Sequence, residues 1–161
     1  MKARKDGEHP FGDIGQLILL VLFLLIWVGD SFFMRKSIFL ADYVPLNIRL
    51  VFLGLALLAA FYLLKSGHVV LDHGQPPKSP VTTGAFRHVR HPLYLGCMLV
   101  YIGLTISTVS LLSLALFVVI SAFYDHIARY EERWLEEYFG DEYREYKKRT
   151  GKWVPRLGRG V

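Results

Sequence analysis

The chain has 161 residues and a mass of 18.5 kDa; 53% of its residues are hydrophobic and its mean hydropathy is +0.33. That is too apolar for an ordinary soluble domain of this size and predicts a small all-α integral membrane protein forming one domain, 1–161. The net charge of +5 lies in short flanks around apolar segments instead of one stripe, which points to anionic membrane lipids as partners and away from nucleic acid.

Lys2, Arg4 and Lys5 precede a first run, 14–33, that is apolar apart from Gln16, Asp30 and Ser31. At a rise of about 1.5 Å per residue it reaches roughly 30 Å, enough to cross a bilayer. It has no small-residue cleavage site and ends in Trp27, Phe32 and Phe33, so a retained anchor is expected. A second run, 46–64, carries only Asn47 and Arg49 near its start, where an arginine can snorkel to the interface.

A polar loop, 65–91, follows. Gly74 to Pro80, with three prolines, is rigid and non-helical, and Thr83-Gly84 reads as a turn. The loop ends in Arg87-His88-Val89-Arg90-His91-Pro92-Leu93-Tyr94-Leu95-Gly96, five basic or titratable side chains against the mouth of a long apolar run. Pro92 suits the first turn of a helix, and His91 before it is pushed to an extended shape. A polar loop thus enters a buried helix with its amides forward, a place suited to a carboxylate or phosphate.

Leu93 to Tyr124 is 32 residues without a charge; as one helix it would be about 48 Å long and would overshoot the hydrocarbon core. The polar patch Thr105 to Ser110 divides it, predicting a hairpin of two short spans, 92–106 and 109–126, and about four spans in all. Cys97 lies inside this run and has no partner in the chain, so no disulfide is expected. Nine Lys or Arg follow the fourth span, four lie in 65–91, and none lies at the hairpin turn. By the positive-inside rule both termini and the 65–91 loop are cytoplasmic, in the inner (plasma) membrane, although Arg35 and Lys36 weigh the other way.

Residues 127–161 are read as cytoplasmic helices. Ile127, Trp134, Leu135 and Tyr138 keep apolar spacing as far as Phe139, Gly140 is a stop, and a short amphipathic helix carries Tyr143 and Tyr146 before Gly151 to Pro155 ends it. In Arg129-Tyr130-Glu131-Glu132-Arg133 adjacent residues point about 100° apart, so one glutamate can face the bundle and the other water; a solvated face with arginine neighbours is the alternative. Histidines 68, 73, 88 and 91 match no metal-ligand spacing, so no metal is expected. Tyr138, Phe139, Tyr143, Tyr146 and Trp153 form either an interfacial aromatic belt or the wall of a pocket.

Two blocks in order, Val81-Thr82-Thr83-Gly84-Ala85-Phe86-Arg87 with Arg90-His91-Pro92-Leu93-Tyr94-Leu95-Gly96, then Glu131 to Tyr146 with Thr150 and Pro155, resemble the isoprenylcysteine carboxyl methyltransferase family and its bacterial relatives, themselves akin to phospholipid methyltransferases. The resemblance implies S-adenosyl-L-methionine as methyl donor, in a membrane cleft open to the cytosol. It implies a cofactor pocket lined by Lys78, Val81, Phe86, His91, Pro92, Leu93 and Tyr94, with Glu132 binding the cofactor or ordering the site. Glu132 and Arg129 would stand nearest the chemistry, on a lipophilic acceptor bearing a carboxylate, a thiol or a lipid amine. Two positions depart from the family pattern: Ile127 stands where a functional arginine is found, and Phe86 where a tyrosine is common. An NADPH-dependent enzyme of the sterol-reductase type and a non-catalytic membrane scaffold are the alternatives.

Overall fold

The computed structural model describes residues 12–71 and 79–156. Five α-helices follow one another: α1 (Gly12–Val28), α2 (Leu46–Leu71), α3 (Pro92–Thr108), α4 (Leu111–Phe139) and α5 (Asp141–Arg149). α1 continues into a wider, π-helical turn, Gly29–Met34, which Arg35 ends in a left-handed conformation. Among the described residues there is no strand, only an isolated parallel bridge between Val89 and Gly151.

Three segments are long and apolar enough to cross a membrane: Ile14–Met34, Leu46–His68 and Leu111–Phe139. Pro92–Thr108 is a shorter apolar helix of 17 residues, about 25 Å long. The hairpin expected between residues 105 and 110 is present, with Val109 left-handed and Ser110 capping α4 by accepting from the Ser113 amide.

One expected boundary moves. α2 runs on to Leu71, past the loop start expected at 65, because Lys65-Ser66-Gly67-His68 changes polarity without supplying a helix stop. α4 runs unbroken to Phe139 and is capped at Gly140, where the apolar spacing of Ile127, Trp134, Leu135 and Tyr138 and the glycine stop place its end.

Small residues set the packing. α2 and α3 lie so close that a Cβ on Gly103 would meet the Ala56 Cβ at 3.1 Å, and one on Gly96 would meet the Ala60 carbonyl at 3.3 Å. In lipid, where apolar burial does not drive helices together, such close approach supplies the dispersion that does. Phe23, Tyr101, Ile120 and Tyr124 form the buried core, while Leu25, Leu58 and Phe61 on the outer faces are exposed, as a lipid-facing surface requires.

The hairpin end is held by a buried carboxylate. Asp30, fully buried, accepts from the Ser37 amide at 3.1 Å, from the Ser37 hydroxyl, and from the Ser110 hydroxyl at 2.7 Å. The Ser37 carbonyl in turn accepts from the Leu111 amide and its hydroxyl from the Leu112 amide, so the negative group sits behind the N-terminus of α4, where the helix dipole favours it. Arg49 reaches the hairpin end of α3 and donates to the Ser107 carbonyl at 3.1 Å, satisfying an orphan acceptor of the last turn.

Asp30→Ala leaves these donors buried without an acceptor and is expected to destabilise the protein by roughly 2–3 kcal/mol. Thermal unfolding in detergent measures it; an unchanged midpoint would show that the staple does not contribute.

Candidate cofactor and active site

Local geometry brings the loop before α3 to the other end of the bundle. Gly84, with φ of 58°, starts a single 3₁₀ turn, Gly84–Arg87, and the Ser66 hydroxyl on α2 accepts from the Ala85 amide at 2.9 Å. His91 has φ of −123°, outside the helical region as the following proline demands, and Pro92 opens α3. The first amides of α3 therefore face the loop, while the Leu95 amide already donates to the His91 carbonyl.

Glu132, on the buried face of α4, receives this loop. Its Oε1 accepts from Arg90 Nε at 2.9 Å and from His91 Nε2 at 3.1 Å, and Lys147 Nζ of α5 lies 3.4 Å from Oε2. The Arg90 and Glu132 side chains are only 8% and 7% exposed, so the pair is cut off from water. Arg90 also binds the chain after α5: its amide donates to the Gly151 carbonyl at 2.9 Å, and Nη1 to the carbonyls of Thr150 at 2.5 Å and Lys147 at 3.3 Å. Tyr146 donates its hydroxyl to the Phe86 carbonyl at 2.6 Å, joining α5 to the 3₁₀ turn.

Glu131 lies beside this cluster. The Tyr94 hydroxyl donates to its Oε1, and its Oε2 is 3.7 Å from His91 Nδ1. Its side chain keeps 22% exposure. The His91 ring stacks parallel to Tyr94 with centroids 5.7 Å apart and meets Trp153 at 5.6 Å, and Tyr94 reaches Tyr124 in the core at 5.2 Å. The rings run from the apolar bundle to the carboxylates.

Burial lowers the pKa of His91 below its ordinary 6.5, with the hydrogen bond and charge of Glu132 acting the other way. Burial, reinforced by the nearby Glu132 charge, pushes the Tyr143 and Tyr146 hydroxyls well up. The hydrogen bond to Glu136 raises Lys147, so it stays cationic beside Glu132.

The structure thus joins His91 to Tyr94 and to Glu132, while buried Pro92 packs toward Gly67 of α2. Leu93 points the same way, into the notch left by Gly67. Phe86 and Val81 are half-buried on the loop, and Lys78 lies outside the described residues. Arg129 does not reach the cluster: its side chain is 68% exposed and pairs with Asp125. Lys147 is the site residue that sequence reasoning did not raise, and Arg90, Glu131 and Trp153 were raised there as part of a basic cluster, a glutamate pair and a possible pocket wall without a role being assigned to them. The only signal for Glu131 was its place one residue from Glu132, which turns it about 100° round the helix; no spacing links Arg90 or Trp153 to their partners.

Residues 46–142, more than half of the chain and inclusive of both the His91 turn and the glutamate pair, match the phospholipid methyltransferase family. The chain belongs to that family. It is 36% identical over 89 residues to a protein-S-isoprenylcysteine O-methyltransferase of Saccharomyces cerevisiae, a stretch covering 55% of this chain and 37% of the relative. It is 34% identical over 93 residues to methanethiol S-methyltransferase 1 of Bradyrhizobium diazoefficiens, covering 56% and 30%. A probable protein-S-isoprenylcysteine O-methyltransferase of Oryza sativa is 32% identical over 89 residues, covering 55% and 47%. The chain therefore matches between about a third and a half of the length of these relatives. No solved structure matches it.

As a member of the phospholipid methyltransferase family, the chain invites a test of whether these side chains suit a sulfonium-bearing methyl donor. Aromatic faces and a partly exposed carboxylate can attract a cationic group, and helix amides a carboxylate, so the residues present are chemically compatible with such a group.

Two outcomes are expected of the ion cluster. Glu132→Ala leaves Arg90 buried and unpaired and should cost roughly 3–5 kcal/mol in thermal unfolding, whereas exposed Arg144→Ala should cost almost nothing. His91, kept neutral in the folded state, contributes fully above about pH 6.5, and this stability is lost as the pH falls through its lower folded value, because the unfolded chain takes up the proton first. The unfolding midpoint should drop on acidification below about pH 6.5, and His91→Gln should flatten that slope; an equal slope in the variant would contradict it.

Proposed function

We propose that the chain is a membrane-embedded methyltransferase that uses S-adenosyl-L-methionine and acts on a small lipophilic acceptor. One observation carries this assignment: His91 and Tyr94, at the mouth of α3, meet Glu132 and Glu131 of α4 across sequence separations of 41 and 37 residues, at the edge of an apolar bundle. Membership of the phospholipid methyltransferase family supports the reaction class.

The donor supplies an electrophilic methyl group on a sulfonium. The chain's own residues supply alignment and a dry, charge-matched site, which is most of what such a transfer needs. Glu131 with the rings of Tyr94 and Trp153 suits the cation. The first amides of α3 suit the donor's carboxylate end, and half-buried Phe86 offers a face to its base. Glu132, saturated by Arg90, His91 and Lys147, orders these groups and leaves contact with ligand to Glu131. The donor is cytosolic, which puts this end of the bundle on the cytoplasmic side of the inner membrane, in agreement with the basic flanks.

The cations at and beside the cluster favour an acceptor without a carboxylate. Arg90 and Lys147 pair with Glu132, and Lys152, next to Trp153, pairs with Asp125. An anionic acceptor would have to break one of these pairs and approach Glu131. A thiol, as in the name of the Bradyrhizobium relative, or a lipid amine has no such cost.

Calorimetric titration of the detergent-purified protein with S-adenosylhomocysteine, with NADPH in parallel, tests the assignment. Micromolar binding of S-adenosylhomocysteine is expected, and S-adenosyl-L-methionine, which carries the cation, should bind Glu131→Gln at least about tenfold more weakly than the wild type with the unfolding midpoint unchanged. Absence of binding by folded protein would overturn the assignment, and preference for NADPH would replace it with a reductase.

A further inference from the structure

Asp125 sits on α4 seven residues before Glu132, where the apolar part of the helix gives way to charge. Its carboxylate accepts from Arg129 one turn on, from Lys152 Nζ at 2.5 Å and from the Trp153 indole nitrogen at 3.1 Å. Arg129 is an exposed neighbour at i,i+4, a common helix-surface pair. Lys152 and Trp153 come from the chain beyond α5, 27 and 28 residues away.

That returning chain is held differently at its two ends. At its root Thr150 and Gly151 are buried, the Thr150 amide donates to the Tyr146 carbonyl at 3.0 Å, and Arg90 donates to the carbonyls of both. The turn is too tight for any side chain at its first residue: a Cβ on Gly151 would lie 1.8 Å from the Val154 carbonyl oxygen. At its tip Val154 is 72% exposed. The Trp153 indole lies on the His91 ring, on which Tyr94 also stacks, and its nitrogen donates to Asp125. The root is clamped by the ion cluster; the tip is held by ring packing and one carboxylate, and two residues past it Arg156 donates to the Lys148 carbonyl of α5.

We propose that Asp125 is a positioning residue that latches Trp153 over the His91–Tyr94 site, so that residues 152–154 act as a cover hinged at Gly151. This rests on the methyl-donor reading for its purpose: a closed indole adds an aromatic face to the sulfonium and keeps water from it. The latch itself rests on geometry alone. Asp125 touches no ligand in this scheme and acts only through the indole it holds. Arg129 becomes its helix-surface partner instead of a group at the chemistry.

Fluorine NMR of protein labelled with 5-fluorotryptophan reads the latch directly, because the chain has three tryptophans and Trp153→Phe assigns the third signal. In Asp125→Ala the Trp153 signal should shift and gain a solvent isotope effect, while those of Trp27 and Trp134 stay in place. Affinity for S-adenosyl-L-methionine, titrated without acceptor, should fall about tenfold, the loss of one hydrogen bond to a charged group. Asp125→Asn, which keeps an acceptor for the indole, should restore both the signal and most of the affinity. Trp153→Phe, which keeps a ring and loses the donor, should weaken binding as Asp125→Ala does, and it serves as the binding test should Asp125→Ala misfold. An unmoved Trp153 signal in folded Asp125→Ala overturns the latch, and unchanged affinity with a released indole overturns its role at the site. If the wild type binds no S-adenosylhomocysteine, the methyl-donor reading fails while the fluorine signal still decides the latch.

Discussion

Glu132 is the group on which the loop end of the molecule depends. A carboxylate with so little contact with water carries a desolvation cost of several kcal/mol, offset only while its oxygens are matched by Arg90, His91 and Lys147 together. Those three side chains come from the loop before α3 and from α5, so one charge on α4 holds three parts of the chain in register. The guanidinium of Arg90 extends the same network to the backbone at Lys147 and Thr150, and the isolated bridge at Gly151 follows from that. The arrangement stands or falls as a unit, because removing one partner leaves a buried charge behind.

The hairpin end obeys the same rule with a different cast. Asp30 has hydroxyls and an amide for partners instead of cations, and it offsets its burial by standing behind the N-terminus of α4. Between the two ends the bundle offers lipid an almost uniform apolar face, so its specificity comes from where helices approach each other closely. Gly96 and Gly103 of α3 against Ala60 and Ala56 of α2 provide that approach. α4 spans the whole distance, capped at one end and anchored by Glu132 toward the other, which makes it the strut that relates the site to the membrane.

The adjacent glutamates divide the work. Glu132 is saturated and structural, and Glu131, a third of a turn away, keeps part of its carboxylate at the surface beside Tyr94 and His91. Membership of the phospholipid methyltransferase family fits this division, since methyl transfer asks for alignment of donor and acceptor more than for proton movement. Tyr124, Tyr94, His91 and Trp153 form a continuous run of ring contacts from the bundle core to the charged mouth.

Much of the fold was legible in the sequence because membrane helices are written locally. Uninterrupted apolar runs, the polar break near Ser107 and the Pro92 helix start need no knowledge of distant residues, and all are realised. The extension of α2 to Leu71 was less legible, because charge marks the edge of lipid and not the end of a helix. The resemblance carried by His91, Tyr94 and Glu132 selected side chains that do meet. Arg129 was chosen for its charge and its nearness in sequence, yet its i,i+4 partner Asp125 draws it to the helix surface. The sequence by itself determined an apolar helical bundle, its hairpin and the family to which it belongs. Only the tertiary structure decided which glutamate is buried, that Arg90 binds a backbone 60 residues away and that Trp153 roofs His91. Helical periodicity fixes a side chain's direction within one turn, while pairing across dozens of residues is settled by which charges the packed helices leave without water.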